Sequence, residues 1–145
     1  MEQNNNWYKS EEERKLAEQI IDMEKAALDK WFKGDSSAYR ALWSEDDFSY
    51  FDSVADHRVD THEEISAFVK SAVDGKLFAD SYDFCNPRVQ FGGDMAVLTY
   101  QLHADTTLSI CTTIALKSIA KKLPVGVLFT PHGRLSVQWI WISVR

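Results

Sequence analysis

Cysteine is scarce in this chain: Cys85 and Cys111 stand far apart, with no CxxC spacing. That excludes a disulfide framework and a thiolate zinc site, and two reduced thiols are the expectation. Three prolines and six glycines are too few for a low-complexity or linker-rich chain. No apolar run approaches the roughly 20 residues of a membrane span. The opening MEQNNNWYKSEEERK is polar and unlike an export signal. Basic residues are outnumbered, 16 Lys and Arg against 22 Asp and Glu, and form no dense cluster, so no nucleic-acid groove is expected. Together these absences describe a cytoplasmic protein with neither membrane nor nucleic acid as partner.

What is present is apolar material for one core. The chain has 145 residues, 45% of them hydrophobic and 12% aromatic, which suits a single domain over 1–145 with a polar leader over 1–9. Ser10 and Glu13 form a capping box, in which each side chain can satisfy a free amide at a helix start. Leu16, Ile20, Met23, Ala27 and Trp31 then recur at helical spacing, widened by Ile21, Leu28 and Phe32, until Gly34 offers a stop. A short second helix is expected around Ser37 to Trp43. Thr61 and Glu64 open a third, which carries Ile65, Phe68, Val69 and Ala72 and stops at Gly75.

Elsewhere the period is two. Phe48 to Asp52 reads as a strand with Phe48, Tyr50 and Asp52 on one face. Tyr82 to Cys85 and Arg88 to Phe91 look extended, with Pro87 marking an edge or a bulge. Gly92, Gly93 and Asp94 supply a hairpin turn into Met95 to His103. VGVLF and LSVQWIWISV, around TPHGR, read as one more hairpin. Helices, strand, helix, strands is an α+β order, with the helices gathered on one side of an antiparallel sheet.

Several side chains are candidates for chemistry. Asp52 shares a strand face with two aromatic rings, where partial desolvation would raise its proton affinity; the plainer reading is a carboxylate capping the turn that follows. Trp31, Tyr39, Trp43, Phe48, Phe68, Phe78 and Tyr82 would line a ligand cavity, or simply fill a core. The histidines, His57, His62, His103 and His132, show neither HxxxH nor HxH spacing, so no metal site is expected. His57 and His62 read as a loop and a helix-start residue, while His103 closes a strand. Gly92 and Gly93 precede no helix, so no phosphate cradle and no cofactor are implied.

Three segments in order, KGDSSAYRALWSED, YFDSVADHRVDTHEEISAFV and NPRVQFGGDMAVLTYQLH, resemble the nuclear transport factor 2-like superfamily, in its SnoaL-like and calmodulin-dependent kinase II association-domain branch. The likeness spans residues 14–105. It implies a cone, a strongly curved antiparallel sheet wrapped around helices with an apolar pocket at the open end. Relatives isomerise or cyclise polycyclic ketones, bind or hydrolyse small molecules, or only assemble into oligomers. The resemblance places Asp52 where the steroid-isomerase branch carries its general base, with Tyr50 or His103 as helpers. It also sets Ala27 where those isomerases carry a donor tyrosine. The implied function is the binding of a small, mostly apolar molecule. The rivals are an isomerase or cyclase using Asp52, and a homodimer joined through an exposed sheet face bearing Val97, Trp139 and Trp141.

The tail over 112–145 departs from that branch, whose last two strands resemble YNCIEVYR and WRVIHTHWSF. Grouping the last base of each codon with the first two of the next lets Thr112 to Ala120 encode YNCIEVYR. The same regrouping lets Val125 to Leu135 encode WRVIHTPWSF. The hypothesis is that the chain is read out of frame from a point between Thr106 and Thr112. The nucleotide sequence of the gene tests it: its codons should spell both strands in the shifted frame, and codons unable to do so end the idea.

Overall fold

A computed structural model describes residues 7–45, 48–50, 57–93, 95–110, 114–119, 123–129 and 135–136, with backbone alone from 106 onward. Three helices precede the main sheet: α1 (Glu11–Trp31), α2 (Ser37–Leu42) and α3 (His62–Val73). The N-cap half of each expected capping box forms, while the Glu13 carboxylate accepts from the Lys9 amide at 2.8 Å and that of Glu64 pairs with His57. The Ser10 hydroxyl accepts from the Glu13 amide at 3.1 Å, and the Thr61 hydroxyl from the Glu64 amide at 3.2 Å. Each satisfies one of the free amides at a helix start.

The buried stripe of α1 sits one residue round from the expected one. Ala17, Ile20, Glu24, Ala27 and Leu28 are buried, whereas Leu16 is 46% exposed. A period of 3.6 drawn through Ile20 and Ala27 passes over Glu24 rather than Met23. Of the expected strand over Phe48 to Asp52, the described residues show an antiparallel bridge between Tyr50 and Val59; residues 51–56 lie outside the described set.

The sheet is built on two long strands, β1 (Leu77–Gly92) and β2 (Met95–Ile110), paired antiparallel. Gly92 pairs with Met95, so the connection is two residues, and its Gly93 takes φ +60°. The two short extended stretches read from sequence are parts of one 16-residue strand. On its far side β2 pairs with β3 (Ile114–Ile119) and then with β4 (Leu123–Phe129), which carries β5 (Leu135–Ser136).

Two irregularities in β1 keep its apolar residues inward. Between Ala79 and Tyr82, and again between Cys85 and Arg88, β1 advances three residues while β2 advances two. Each insertion shifts the alternation by one and bends the strand. Asn86, at φ +52°, and Pro87 make the second, in the outermost strand of the sheet. Tyr82, Phe84, Val89 and Phe91 thus share the inner face with Ala96, Leu98, Tyr100 and Ala104 of β2.

Helices and sheet are pinned at one corner. The Ala79 amide donates to the Phe32 carbonyl at 3.0 Å, the Gly75 amide to the Gly34 carbonyl at 2.9 Å, and the Ser36 amide to the Asp74 carboxylate at 2.8 Å. Gly34 has φ +72°, and a Cβ there would lie 3.1 Å from the Gly75 amide nitrogen and 3.1 Å from the Phe78 ring. Gly75 has φ +69° but open space around it. Alanine at either position meets the left-handed penalty of about 1–2 kcal/mol. Gly34→Ala is expected to cost measurably more than Gly75→Ala, read from denaturant midpoints, because only the former also crowds backbone.

Candidate functional site

The site begins with a charged residue on an apolar stripe. Glu24 lies on the sheet-facing side of α1 and is 0% exposed. The Tyr39 hydroxyl, from α2, donates to its Oε1 at 2.7 Å, and the Tyr100 hydroxyl, from β2, donates to the same oxygen at 2.5 Å. Oε2 is buried with no hydrogen-bond partner among the described residues, as is Nε1 of Trp43. A buried carboxyl oxygen without a hydrogen-bond partner is costly, so its presence calls for a reason.

Electrostatics follow from the burial. Desolvation raises the proton affinity of Glu24, opposed by the hydrogen bonds from Tyr100 and Tyr39. Both tyrosines are pushed well above their ordinary range, first by burial and then by the charge of Glu24. Both phenols therefore stay protonated as donors.

Around this polar centre runs an aromatic series. Trp31 meets Tyr39 edge-on at 5.2 Å between centroids, and Tyr39 stacks on Trp43 at 6.0 Å. Trp43 in turn contacts Phe48 at 5.5 Å and Tyr50 at 6.2 Å. The structure therefore brings together Trp31, Tyr39, Trp43, Phe48 and Tyr50 from the sequence-read set. Phe84, which was not singled out, lies 4.3 Å from the Tyr100 ring.

Others of that set stand apart. Tyr82 packs on Phe32, and its hydroxyl donates to Asp29 at 2.5 Å; burial, then Asp29, raises the phenol's proton affinity. Phe68 is half-buried against the core, and Phe78 is exposed beside Lys33. His103 occupies the face of β2 opposite Tyr100, because residues three apart on a strand point to opposite sides. Asp52 lies outside the described residues, as do His132, Trp139 and Trp141. His57 pairs with Glu64, and His62 opens α3 with its ring on the Arg40 carbonyl.

Glu24, Tyr39 and Tyr100 form the centre that the sequence reading missed as a unit. One signal was available: Glu24 falls four residues after Ile20 and three before Ala27, within the stripe itself.

A family model described as a SnoaL-like domain matches residues 20–121. The chain belongs to this family. Its fold is shared by solved structures that include an NTF2-like protein of Cytophaga hutchinsonii, matched at 16% identity over 86% of this chain and 97% of its own with a TM-score of 0.60. ActVI-ORFA of Streptomyces coelicolor matches at 15% identity over 89% of this chain and 98% of its own, with a TM-score of 0.64. The association domain of C. elegans CaMKII matches at 16% identity over 89% and 96%, with a TM-score of 0.60. A ketosteroid isomerase-like protein of Parabacteroides distasonis matches at 22% identity over 88% of each chain, also at 0.60. A search of curated proteins finds no match. These likenesses establish the α+β cone fold.

Two outcomes test this geometry. Tyr39→Phe and Tyr100→Phe should each cost about 1–3 kcal/mol in chemical denaturation, since each removes a donor from a buried carboxyl. The second concerns pH. Below the ordinary carboxylate value of 4.5 Glu24 is protonated in folded and unfolded chains alike, and its contribution to stability is fully present. As pH rises past that value the unfolded chain releases the proton first, and the contribution is lost until the folded-state value is passed. The stability of the wild type relative to Glu24→Gln should therefore fall as pH rises, and a flat or rising difference would count against the assignment.

Proposed function

We propose that this SnoaL-like protein binds a small, mostly apolar molecule in the hollow of its curved sheet, with Glu24, Tyr39 and Tyr100 as the polar anchor. The observation that carries the reading is the buried Glu24 carboxyl, held by two hydroxyls on one oxygen and, among the described residues, by none on the other. A core that only packs gains nothing from such a group, whereas a ligand reaching Oε2 offsets its desolvation. The series Trp31, Tyr39, Trp43, Phe48 and Tyr50 supplies the apolar wall, and the unmet Trp43 N–H offers a second orienting contact.

Asp52 is our second polar contact for the ligand, on the strength of its position after Phe48 and Tyr50 in the sequence. In an isomerase or cyclase it would be the proton-abstracting base. Assembly of a homodimer through the outer sheet face is the other reading, favoured by Met95, 45% exposed there, and by half-buried Val97.

The readings separate in one experiment. The protein is purified without denaturant, and mass spectrometry compares its small-molecule content before and after unfolding. A binding protein releases a compound whose re-addition raises the melting temperature, by about 2.7 kcal/mol of stability at one hundred times Kd, and Tyr100→Phe weakens that rise. Turnover of the compound that Asp52→Asn abolishes would make the protein an enzyme. No compound, together with a melting temperature that depends on protein concentration, would leave only the assembly.

A further inference from the structure

We infer that Glu24 works as a neutral acid, donating the proton on Oε2 to an acceptor oxygen of an uncharged ligand. This rests on the binding reading above and deepens it by naming the chemistry that the site selects. The geometry carries the point. Both tyrosine hydroxyls converge on Oε1, at 2.7 and 2.5 Å, and neither reaches Oε2. A carboxylate presents two equivalent acceptors, whereas a carboxylic acid presents one carbonyl acceptor and one hydroxyl donor. Two donors on a single oxygen fit the second pattern, with Oε1 as the carbonyl and Oε2 as the hydroxyl.

The surroundings agree. Among the described residues, the groups that meet or electrostatically influence Glu24 are Tyr39 from α2, Tyr100 from β2 and Tyr82 from β1, and burial raises the proton affinity of each. Among the described residues no Lys, Arg or His pairs with the carboxyl, so no cation offsets the cost of ionising it. An apolar site that holds a carboxylic acid neutral turns it into a hydrogen-bond donor. Among the described residues, the buried side-chain polar atoms without partners are then both donors, O–H at Oε2 and N–H at Trp43. Such a site accepts a carbonyl or ether oxygen; it offers no free acceptor to an ammonium group and no charge to an anion.

Two substitutions of similar size divide the possibilities. Glu24→Gln copies the neutral acid, since its carbonyl can accept from both tyrosines while its NH2 donates outward. Glu24→Met keeps the volume and removes both functions. Three bicyclic probes of one size are titrated against each protein by calorimetry: 1-tetralone, the corresponding amine and the corresponding carboxylic acid.

The ketone should bind best to the wild type. Its affinity should stay within about threefold in Glu24→Gln and fall about tenfold or more in Glu24→Met, the loss of one good hydrogen bond. Infrared difference spectra of wild type against Glu24→Gln should show a protonated carboxyl stretch at neutral pH that moves when ketone is added; this reading stands even where Glu24→Met fails to fold. Preference for the amine, loss of ketone affinity in Glu24→Gln, or a carboxylate band would overturn the acid role and leave the pocket reading intact. A wild type that binds none of the three probes, with its carboxyl protonated, would overturn the pocket reading and this inference together.

Discussion

A single buried carboxyl sets the terms for the described core. Glu24 is the one point where α1, α2 and β2 meet through side-chain hydrogen bonds among the described residues, and each partner reaches it from a different element. Helix and sheet could pack on apolar contacts at many offsets, because dispersion and burial have no direction. Two hydroxyls that must both reach one oxygen allow few. The polar centre therefore selects among packings that the surrounding Ala17, Ile20, Leu28 and Leu98 would stabilise almost equally. Specificity obtained this way has an energetic cost, because among the described residues nothing pairs with Oε2.

The sheet is shaped to present Tyr100 to that centre. Without the residue inserted between Cys85 and Arg88, the side chains of Phe84 and Val89 could not both face the helices, since they are five apart in sequence. The insertions restore the phase and bend the strand around α1. The bend lets Phe84 come to 4.3 Å from the Tyr100 ring while the Tyr100 hydroxyl reaches past it to Glu24. Solved structures of this fold are named as a ketosteroid isomerase-like protein, a polyketide cyclase-like protein and an association domain, so the chemistry belongs to the lining residues and not to the fold.

Much of the architecture was legible in the chain. The caps at Ser10 and Thr61, the stops at Gly34 and Gly75 and the hairpin at Gly92–Gly93 are local devices, and local rules find them. Pro87 was readable as a bulge or an edge, and it is in a bulge of an outer strand. The site was legible only in part. The aromatic series over Trp31 to Tyr50 lay within a short stretch and was picked out as candidates. Glu24 was passed over because a period drawn through Leu16 and Met23 is a small rotation away from the true one. On a helix that rotation exchanges a buried carboxyl for a half-buried methionine.

By itself the sequence determined the three helices, the central hairpin, their order and the α+β class, because capping, periodicity and turn chemistry act over a few neighbouring residues. It also determined family membership, through residues 20–121. Only the tertiary structure decided that Glu24, Tyr39 and Tyr100 share one hydrogen-bonded centre, and that His103 stands on the other side of the sheet. The 15 and 76 residues separating Glu24 from its two partners are why. Contacts of that range depend on how a bent sheet closes over a helix, and no local pattern in the chain encodes that closure.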